Sequence, residues 1–354
     1  MIKLGIIFGG LSNECEISKV SASSIIKNLD KDKYDIYPVY ISKDNLYYKY
    51  KKNVFDIDVL SIDEELTDLE LIDNVIDYLQ SFDLVWPVLH GKFGEDGTIQ
   101  GLCELLNVKY VGCKVKSSSM CMDKVYTKHL FNLAGINNAK FMSIKKNNAN
   151  NYLYVDNSFN VCSLSSRKLV DKIVEYLKLP VFVKASKSGS SIGVYKVDDV
   201  SDLIKYIDEA FKYDDTVLIE EEIRGREIEV GIIGNSDKLT VSSIGEVISE
   251  SSYYSYDSKY KSKESYTLIP ASIDSELVDK IKDVAKKAYV ALDCHTLARI
   301  DFFIKNDDNH IYINEINTMP GFTSISMFPK LFKDIGIGYQ ELLDKIIDIE
   351  LSEK

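Results

Sequence analysis

Short apolar runs alternate with a helical pattern near the start of the chain, and this alternation limits the folds that the chain can adopt. Ser18–Leu29 has helical spacing, and the runs that are typical of strands are Lys3–Phe8, Tyr34–Ile41 and Leu84–Leu89. Strands that alternate with helices predict a parallel sheet with crossover helices. Ligands bind such sheets at the carboxyl ends of the strands, where Gly9-Gly10 and His90-Gly91 lie. The sequence therefore predicts an α/β domain with a binding site at this edge.

From about Asp123 the pattern changes to hairpins and helices. One predicted hairpin pairs Pro180–Lys184 with Ile192–Val197 around a long Gly/Ser tip, and a second pairs Leu297–Ile304 with His310–Asn317. The other predicted elements are Val125–Ala134, Phe141-Met142, Leu169–Leu177, Val217–Glu221, Glu227–Gly234, Thr240–Val247, Ser275–Ala291 and Tyr339–Glu350.

Two polar stretches interrupt this pattern. Lys145–Asn160 is rich in Asn, which predicts a surface loop or an irregular insertion. Ser249–Thr267 is polar, charged and rich in Tyr, and it is interpreted either as a loosely packed surface loop or as a lid that shields chemistry from water.

The composition excludes several classes of protein. The 354 residues carry a net charge of −12, which disfavours a large nucleic-acid interface. No apolar run approaches the roughly 20 residues that span a bilayer, and the first residues lack a signal-peptide layout. The six cysteines form no C-x-x-C pair, which favours reduced thiols over disulfides or zinc sites. We therefore expect a cytoplasmic protein without nucleic-acid or membrane partners.

The second hairpin carries a carboxylate pair. A period of two places Arg299 and Asp301 on one face of its first strand, and Glu315 and Asn317 on one face of its second. A turn at residues 307–309 would set Asp301 directly opposite Glu315. Facing carboxylates repel unless a cation lies between them, and oxygen ligands suit Mg²⁺ bound to substrate phosphates. A solvated sheet face with unrelated carboxylates is the alternative.

The Ser186–Gly193 tip of the first hairpin suits a phosphate. Its Gly and Ser residues allow backbone N–H groups and hydroxyls to approach an anion closely, and Lys184 adds a positive charge. The loop is not a Walker sequence, and a flexible turn is the alternative reading.

Four other residues have a structural interpretation beside the functional one. Lys124 can be a surface lysine, and Glu220 can be the acidic end of a strand or a ligand of an adenine amine or ribose. Glu14 is typical of the first turn of a helix, where the dipole favours acids. His90 can be structural or functional.

Seven motifs, taken in order, resemble those of the D-alanine–D-alanine ligase family of ATP-grasp enzymes. They are Phe8-Gly9-Gly10-x-Ser12-x-Glu14, His90-Gly91-x-x-Gly94-Glu95-Asp96-Gly97, Ser119-Met120-x-Met122-Asp123-Lys124, Val183-Lys184-x-Ser186-x-x-Gly189-Ser190-Ser191-x-Gly193, Lys259-Tyr260, Ala298-Arg299-Ile300-Asp301 and Asn314-Glu315-Ile316-Asn317-Thr318-Met319-Pro320-Gly321-Phe322-Thr323. The departures are Cys15 where His or Arg is usual, Ala185 where Pro is common, and a divergent Lys146–Ser166 region.

The resemblance implies an ATP-grasp architecture of the α/β class, with an N-terminal parallel-sheet domain followed by two α+β subdomains that clamp ATP. The implied boundaries are 1–122 for the substrate-binding domain, 123–220 for the central subdomain and 221–354 for the C-terminal catalytic subdomain. A homodimer is the family expectation.

The implied activity is ATP-dependent ligation of two D-alanines to D-alanyl-D-alanine for peptidoglycan precursor synthesis. The first carboxylate becomes an acyl phosphate that the second amine attacks, so the site needs positive charge and must exclude water. The implied cofactors are ATP and two Mg²⁺ (or Mn²⁺) ions. The residues assigned to them by resemblance are Lys124, Lys184 and Ser191 for the phosphates, Glu220 for the adenine amine, Glu227 for the ribose, Asp301, Glu315 and Asn317 for the metals, and Lys259 for the transferring phosphoryl group.

The resemblance also assigns residues to the amino-acid substrates. They are Glu14 for the first ammonium with His90 nearby, Arg299 and the Gly321 N–H for the oxyanion, Ser326 for the second carboxylate, and Glu14, Ser190 and Tyr260 for a hydrogen-bonded set that joins three domains. Met327, next to Ser326, offers an apolar wall suited to a methyl group. Tyr260, in a lid without His, predicts an amine acceptor rather than D-lactate. The alternatives are a D-alanine–D-serine ligase of the vancomycin-resistance type, an ATP-grasp ligase for other substrates, and a non-catalytic ATP-binding regulatory protein.

Overall fold

The computed structural model describes residues 1–50, 68–148, 151–156, 158–235, 238–249 and 265–352. Within these residues the chain forms three β-sheets that pack against helices. The predicted α/β class is confirmed. Most of the predicted lid, residues 250–264, lies outside the described residues, and so do Lys259 and Tyr260.

The first sheet has the strand order β4-β3-β2-β1-β5. Its strands are β1 (Ile2–Gly9), β2 (Tyr34–Ile41), β3 (Tyr47–Tyr50), β4 (Leu69–Leu71) and β5 (Leu84–Pro87). As predicted, β1 pairs in parallel with β2 and β5. Strands β3 and β4 are antiparallel additions that the sequence analysis did not predict. Helix α1 (Cys15–Asn28) packs against β1, and three shorter helices follow, α2 (Val75–Gln80), α3 (Thr98–Leu105) and α4 (Val115–Met122).

The second sheet is antiparallel, with the strand order β10-β9-β11-β6-β7-β8. Its strands are β6 (Phe141–Asn148), β7 (Asn151–Val155), β8 (Val161–Ser165), β9 (Val181–Ala185), β10 (Val194–Val197) and β11 (Thr216–Glu221). Its helices are α5 (Lys124–Leu133), α6 (Ser166–Tyr176) and α7 (Leu203–Ala210). The hairpin predicted around the Gly/Ser tip is formed by β9 and β10.

The prediction of a surface loop or irregular insertion at Lys145–Asn160 was wrong. Strand β6 continues to Asn148, and β7 and β8 extend the sheet as a hairpin. Tyr152 is the reason, because its side chain is buried and its ring stacks on Phe211 with 6.1 Å between the centroids. A polar stretch forms strands when aromatic side chains bury one of its faces.

The third sheet has the strand order β14-β13-β12-β15-β16. Its strands are β12 (Gly225–Asn235), β13 (Lys238–Ser249), β14 (Ser265–Leu268), β15 (Leu297–Lys305) and β16 (Ile311–Asn317). Helix α8 (Ser275–Ala291), as predicted, covers the apolar face of β12, and α9 (Met327–Asp334) packs against β13 and β12. Helix α10 (Tyr339–Ser352) ends the described chain, and its apolar residues share a core with β1.

Asp301 faces Glu315 across β15 and β16, as the sequence predicts, although the turn differs from the prediction. The loop holds four residues, 306–309, because the Lys305 N–H donates to the His310 carbonyl at 3.0 Å. That loop alone would set Asp301 opposite Asn314. A bulge between Asp301 and Phe302 shifts the register by one residue and restores the pairing with Glu315.

Two further sequence expectations concern spans and thiols. In the part of the chain that the structure describes, no helix has both the length and the apolar character that a membrane span requires. All six cysteines are free thiols, five of them buried, with only Cys162 exposed.

Candidate active site

Two adjoining cavities lie where the three sheets meet. The larger has a volume of about 560 Å³, within the range of small-molecule sites, and β9, β11, β12, β15 and β16 all contribute to its walls. The smaller, about 90 Å³, is lined by Glu14 and His90 from the first domain and by residues of the third sheet and the loop after it. Lys124, Ser190 and Glu315 line both cavities, so a group bound in one lies next to the other.

Lys124 lies at the junction of the two cavities. Its ammonium donates to the Ser188 carbonyl at 2.7 Å and lies 3.5 Å from Glu315 Oε2. The start of α5 is fixed because Asp123 caps it and also accepts from the Ser186 hydroxyl at 2.6 Å. The helix terminus and the Gly/Ser loop are therefore held together, and the lysine is presented to both cavities.

Glu220 is a buried carboxylate in the wall of the larger cavity, 4% exposed. Lys128 Nζ lies 2.8 Å from its Oε2, and Lys184 Nζ contacts its Oε1. Burial alone would raise the pKa of Glu220, but the two lysines lower it to about 2. Burial lowers the pKa of Lys128 from its ordinary value, while Glu220 opposes that shift. Lys184 thus lies in the cavity as predicted, although its partner here is a carboxylate.

A row of carboxylates crosses the third sheet on the face toward the cavities. Asp301 in β15 faces Glu229 of β12 on one side and Glu315 of β16 on the other. The Asn317 amide donates to Asp301 Oδ2 at 2.9 Å. Asp301, Glu315 and Asn317 are thus together, as predicted, and Glu229 joins them as a residue that the sequence analysis missed.

Arg299 offsets part of the negative charge of this row. Its Nε–H donates to Asp301 Oδ1 and its Nη2 to Asp301 Oδ2, each at 2.8 Å, and its Nε lies 3.0 Å from Glu229 Oε2. Burial alone would lower the pKa of Arg299, but Asp301 and Glu229 raise it well above its ordinary value. Arg299 lines the smaller cavity together with Gly321, so the two predicted oxyanion donors share one site.

Glu14 and Ser190 connect the first domain to the Gly/Ser loop. The Ser190 hydroxyl donates to Glu14 Oε1, and both residues line the smaller cavity. Gly189 permits this contact, because a Cβ atom there would lie 2.8 Å from Glu14 Oε2. Ser190 has a φ of 49°, in the left-handed region that costs a non-glycine residue free energy. The loop is therefore held over the site in a strained form, with a carboxylate as its anchor.

His90 links the first domain to the loop after β16. Its Nδ1 lies 3.1 Å from the Met319 carbonyl and 3.4 Å from Glu95 Oε1, and its Nε2 lies 3.2 Å from the Ser21 hydroxyl. A carbonyl only accepts, so Nδ1 carries a proton. Burial alone would lower the pKa of His90, but Glu95 raises it above its ordinary value. The imidazole is buried in the wall of the smaller cavity.

Ser326 and Met327, the two residues assigned to the acceptor, line neither cavity. The hydroxyls of Ser326 and Thr323 form a hydrogen bond of 2.8 Å, and Ser326 lies close to Gly321. Met327 is buried under β13, where its sulfur would lie 2.6 Å from a Cβ atom at Gly245, and it lines neither cavity. The prediction that Met327 forms an apolar wall beside the acceptor therefore has no support among the described residues. Its apolar character serves the packing of α9.

The remaining predicted nucleotide residues lie where the sequence analysis expected. Glu227 and Ser191 both line the larger cavity. The one cavity-lining residue that a simple signal would have revealed is Lys128, since it follows Lys124 by four positions and thus lies on the same face of α5.

Comparisons with known proteins agree with this arrangement. The chain matches the family models "D-ala D-ala ligase N-terminus" over residues 3–113 and "D-ala D-ala ligase C-terminus" over residues 130–348. It is 41% identical to a D-alanine–D-alanine ligase of Caldicellulosiruptor bescii, over 99% of this chain and 96% of the relative, and 41% identical to D-alanine–D-alanine ligase B of Clostridium tetani, over 100% and 94%.

Solved structures give the same result. The VanG D-Ala:D-Ser ligase from Enterococcus faecalis superimposes with a TM-score of 0.84 at 35% identity, covering 99% of both chains. A D-alanine–D-alanine ligase from Bacillus anthracis, solved with ATP, gives a TM-score of 0.74 at 29% identity over 99% of this chain and 98% of that one.

Proposed function

Because the chain belongs to the D-alanine–D-alanine ligase family, we propose that its larger cavity binds ATP and that its smaller cavity binds the D-alanine whose carboxylate is activated. The protein is an ATP-dependent ligase that joins two D-alanine molecules for peptidoglycan synthesis. The observation that carries the site assignment is that the two cavities adjoin through Lys124, Ser190 and Glu315. A carboxylate in one cavity can therefore meet a phosphate in the other.

The chain's lysines and backbone donors are suited to the phosphates. In this proposal Lys124 and Lys184 neutralise them, and the Gly/Ser loop with Ser191 covers them. Glu220 accepts from the adenine amine, and Glu227 contacts the ribose. ATP supplies the phosphoryl group that makes the carboxylate reactive, while the protein lowers the repulsion between two anions by placing ammonium groups at their junction.

Asp301, Glu315 and Asn317 fit Mg²⁺ or Mn²⁺ by the chemistry of their donors, which are two carboxylates and an amide oxygen. Among the described residues no group of three or more His, Cys, Asp or Glu side chains forms a metal site. Two Mg²⁺ ions would therefore share these three side chains with phosphate oxygens and water, as Mg²⁺ usually does. The ions would supply positive charge next to the transferring phosphoryl group.

The residues of the smaller cavity have complementary roles in the proposal. Glu14 holds the ammonium of the first D-alanine, with the buried His90 beside its carboxylate. Arg299 and the Gly321 N–H stabilise the oxyanion that forms when the second amine attacks. Ser326 anchors the second carboxylate. Lys259, assigned by resemblance to the transferring phosphoryl group, and Tyr260, assigned to the hydrogen-bonded set with Glu14 and Ser190, lie outside the described residues.

D-serine is the second candidate acceptor. The specific observation in its favour is the TM-score of 0.84 to a structure titled a D-Ala:D-Ser ligase. Met327 lines neither cavity, so it does not argue against a hydroxyl. A competition assay at equal D-alanine and D-serine separates the two candidates. The proposal predicts mostly D-alanyl-D-alanine, and a majority of D-alanyl-D-serine would reverse the assignment.

Three further properties belong to the proposal. We assign residues 1–122, 123–220 and 221–354 to the three domains, because each range holds one of the three sheets, except that β11 ends at Glu221, one residue past the second boundary. We expect a homodimer and a cytoplasmic location. Sedimentation equilibrium tests the first of these two, and cell fractionation tests the second.

A further inference from the structure

Lys128 is a buried lysine to which neither the motifs nor the family resemblance gives a role. Its side chain is only 3% exposed, and it lines the larger cavity one helical turn after Lys124. An ammonium group is costly to bury unless an anion compensates it. A buried lysine in the wall of the larger cavity therefore needs an anionic partner.

That partner is Glu220, which has an aromatic residue as its neighbour on each of the two adjacent strands. In the sheet register Glu220 lies between Phe141 of β6 and Phe182 of β9. Lys128 Nζ lies 2.8 Å from Glu220 Oε2 and also 5.8 Å from the centre of the Phe141 ring. The carboxylate thus has two lysines, with Lys128 on one oxygen and Lys184 on the other.

The two lysines differ in what else they can reach. Lys184 lies one residue before the end of β9, near the Gly/Ser loop, and in the proposed function it turns to the ATP phosphates. Lys128 is more deeply buried, with 3% of its side chain exposed against 14% for Lys184. Once Lys184 serves phosphate, Lys128 is the cation that stays with Glu220. A buried carboxylate without a cation takes up a proton, and it then presents a hydroxyl donor to the base.

We propose that Lys128 is the positioning residue for base recognition, because it keeps Glu220 an ionised acceptor while Lys184 binds phosphate. An acceptor with no proton favours a purine with an amine at position 6 and disfavours one with an oxygen there. The inference rests on the proposed function, since it takes the larger cavity as the ATP site. Beyond that function, the inference adds Lys128 as a residue that determines the preference for a 6-amino purine nucleotide over a 6-oxo purine nucleotide.

Calorimetric titration with ATP and with inosine triphosphate, both with Mg²⁺ and without D-alanine, tests the proposal. The wild-type protein should prefer ATP. Lys128→Met should reduce the ratio of the two affinities about 10-fold or more, as expected for a hydrogen bond to a charged group. Lys128→Arg should retain most of the preference. Lys114→Met is the matched control, because it removes the lysine that pairs with another buried glutamate, Glu350, and this pair lines neither cavity.

A double-mutant cycle distinguishes positioning from a general structural effect. In a Glu220→Gln background, Lys128→Met should change the affinity ratio by less than about twofold, because the residue through which it acts is gone. The double variant removes the Lys128 and Glu220 charges together, so it remains informative if Lys128→Met alone does not fold. Additive losses in the cycle, or an unchanged ratio in Lys128→Met, would overturn the inference. Failure of the wild-type protein to bind either nucleotide would instead overturn the proposed function.

Discussion

Arg299 and Asp301 form a two-point ion pair within one strand, with both N–O distances at 2.8 Å. Each residue has a second proposed partner, since Asp301 is assigned to Mg²⁺ and Arg299 to the oxyanion. The pair brings two opposite charges together at a partly buried position. Glu229 Oε2, 3.0 Å from the same Nε, is a second carboxylate that holds Arg299 if Asp301 turns to a metal ion.

The first prediction concerns the metal carboxylates. Glu315→Gln should reduce turnover about 100-fold or more, because it removes a charge that holds Mg²⁺ next to the phosphoryl group. Unfolding should be little affected, since Glu315 is only partly buried and its contact with Lys124 is 3.5 Å long. Asp307→Asn, in the exposed loop of the same hairpin, is the control. Turnover of Glu315→Gln near that of the control at saturating Mg²⁺ would refute the assignment.

The second prediction concerns the contact between Glu14 and Ser190. Ser190→Ala should lower kcat/KM for D-alanine about 10-fold, because the loop loses its anchor on the first domain. Glu14→Gln keeps an acceptor for Ser190 but loses the charge for the ammonium, so it should raise the KM for the first D-alanine more than Ser190→Ala does. Steady-state kinetics of the two variants give the comparison. Equal KM values in both would count against an ammonium site at Glu14.

The third prediction concerns the attachment of α10. Glu350 is 3% exposed, pairs with Lys114 at 2.8 Å and accepts from the Thr296 hydroxyl. Glu350→Gln should lower the free energy of unfolding by about 2 kcal/mol, because buried partners lose a charged acceptor. The control Glu341→Gln breaks only an exposed pair with Lys345 and should change it by less than about 0.5 kcal/mol. Urea titration measures both.

The stability difference between the wild-type protein and Glu350→Gln should also depend on pH. Although burial opposes it, contacts with His295, Lys114 and Thr296 hold the pKa of Glu350 below its ordinary value of 4.5. A lowered pKa stabilises the fold above the ordinary value, and that contribution is lost as the pH falls through the folded-state pKa. The stability difference between wild type and Glu350→Gln should therefore be constant near neutral pH and shrink below pH 4.5. A difference that grows on acidification would contradict this account of Glu350.

Period-two and helical patterns predicted the elements that bury one clear face. Tyr34–Ile41 and Ser275–Ala291 have the predicted bounds, because their apolar positions repeat without interruption. The prediction of a loop at Lys145–Asn160 was wrong because a few aromatic side chains, with Tyr152 in the core, stabilise strands despite the polar composition of the segment. Such packing depends on distant residues, here Phe211, and local pattern does not reveal it.

The candidate site was predicted better by motif than by geometry. The pairing of Asp301 with Glu315 came from a three-residue turn, whereas the chain uses a longer loop and a compensating bulge. Lys128 and Glu229 belong to no quoted motif. The helical spacing from Lys124 indicates the face on which Lys128 lies. Only the fold shows that Lys128 pairs with Glu220 and that Glu229 lies beside Arg299. Each of the two residues balances the charge of a partner that is distant in sequence, and the local sequence pattern does not show which side chains meet in the fold.

The most direct test of the proposed acyl-phosphate route measures whether a carboxylate oxygen of D-alanine is transferred to the released phosphate. D-alanine labelled with ¹⁸O in its carboxylate is incubated with the protein, ATP and Mg²⁺, and the released phosphate and the dipeptide are analysed by mass spectrometry. If the two adjoining cavities bring the carboxylate onto the γ-phosphate, each phosphate carries one ¹⁸O from D-alanine, and D-alanyl-D-alanine forms in equal amount. Phosphate without ¹⁸O, or phosphate release without dipeptide, would contradict the account.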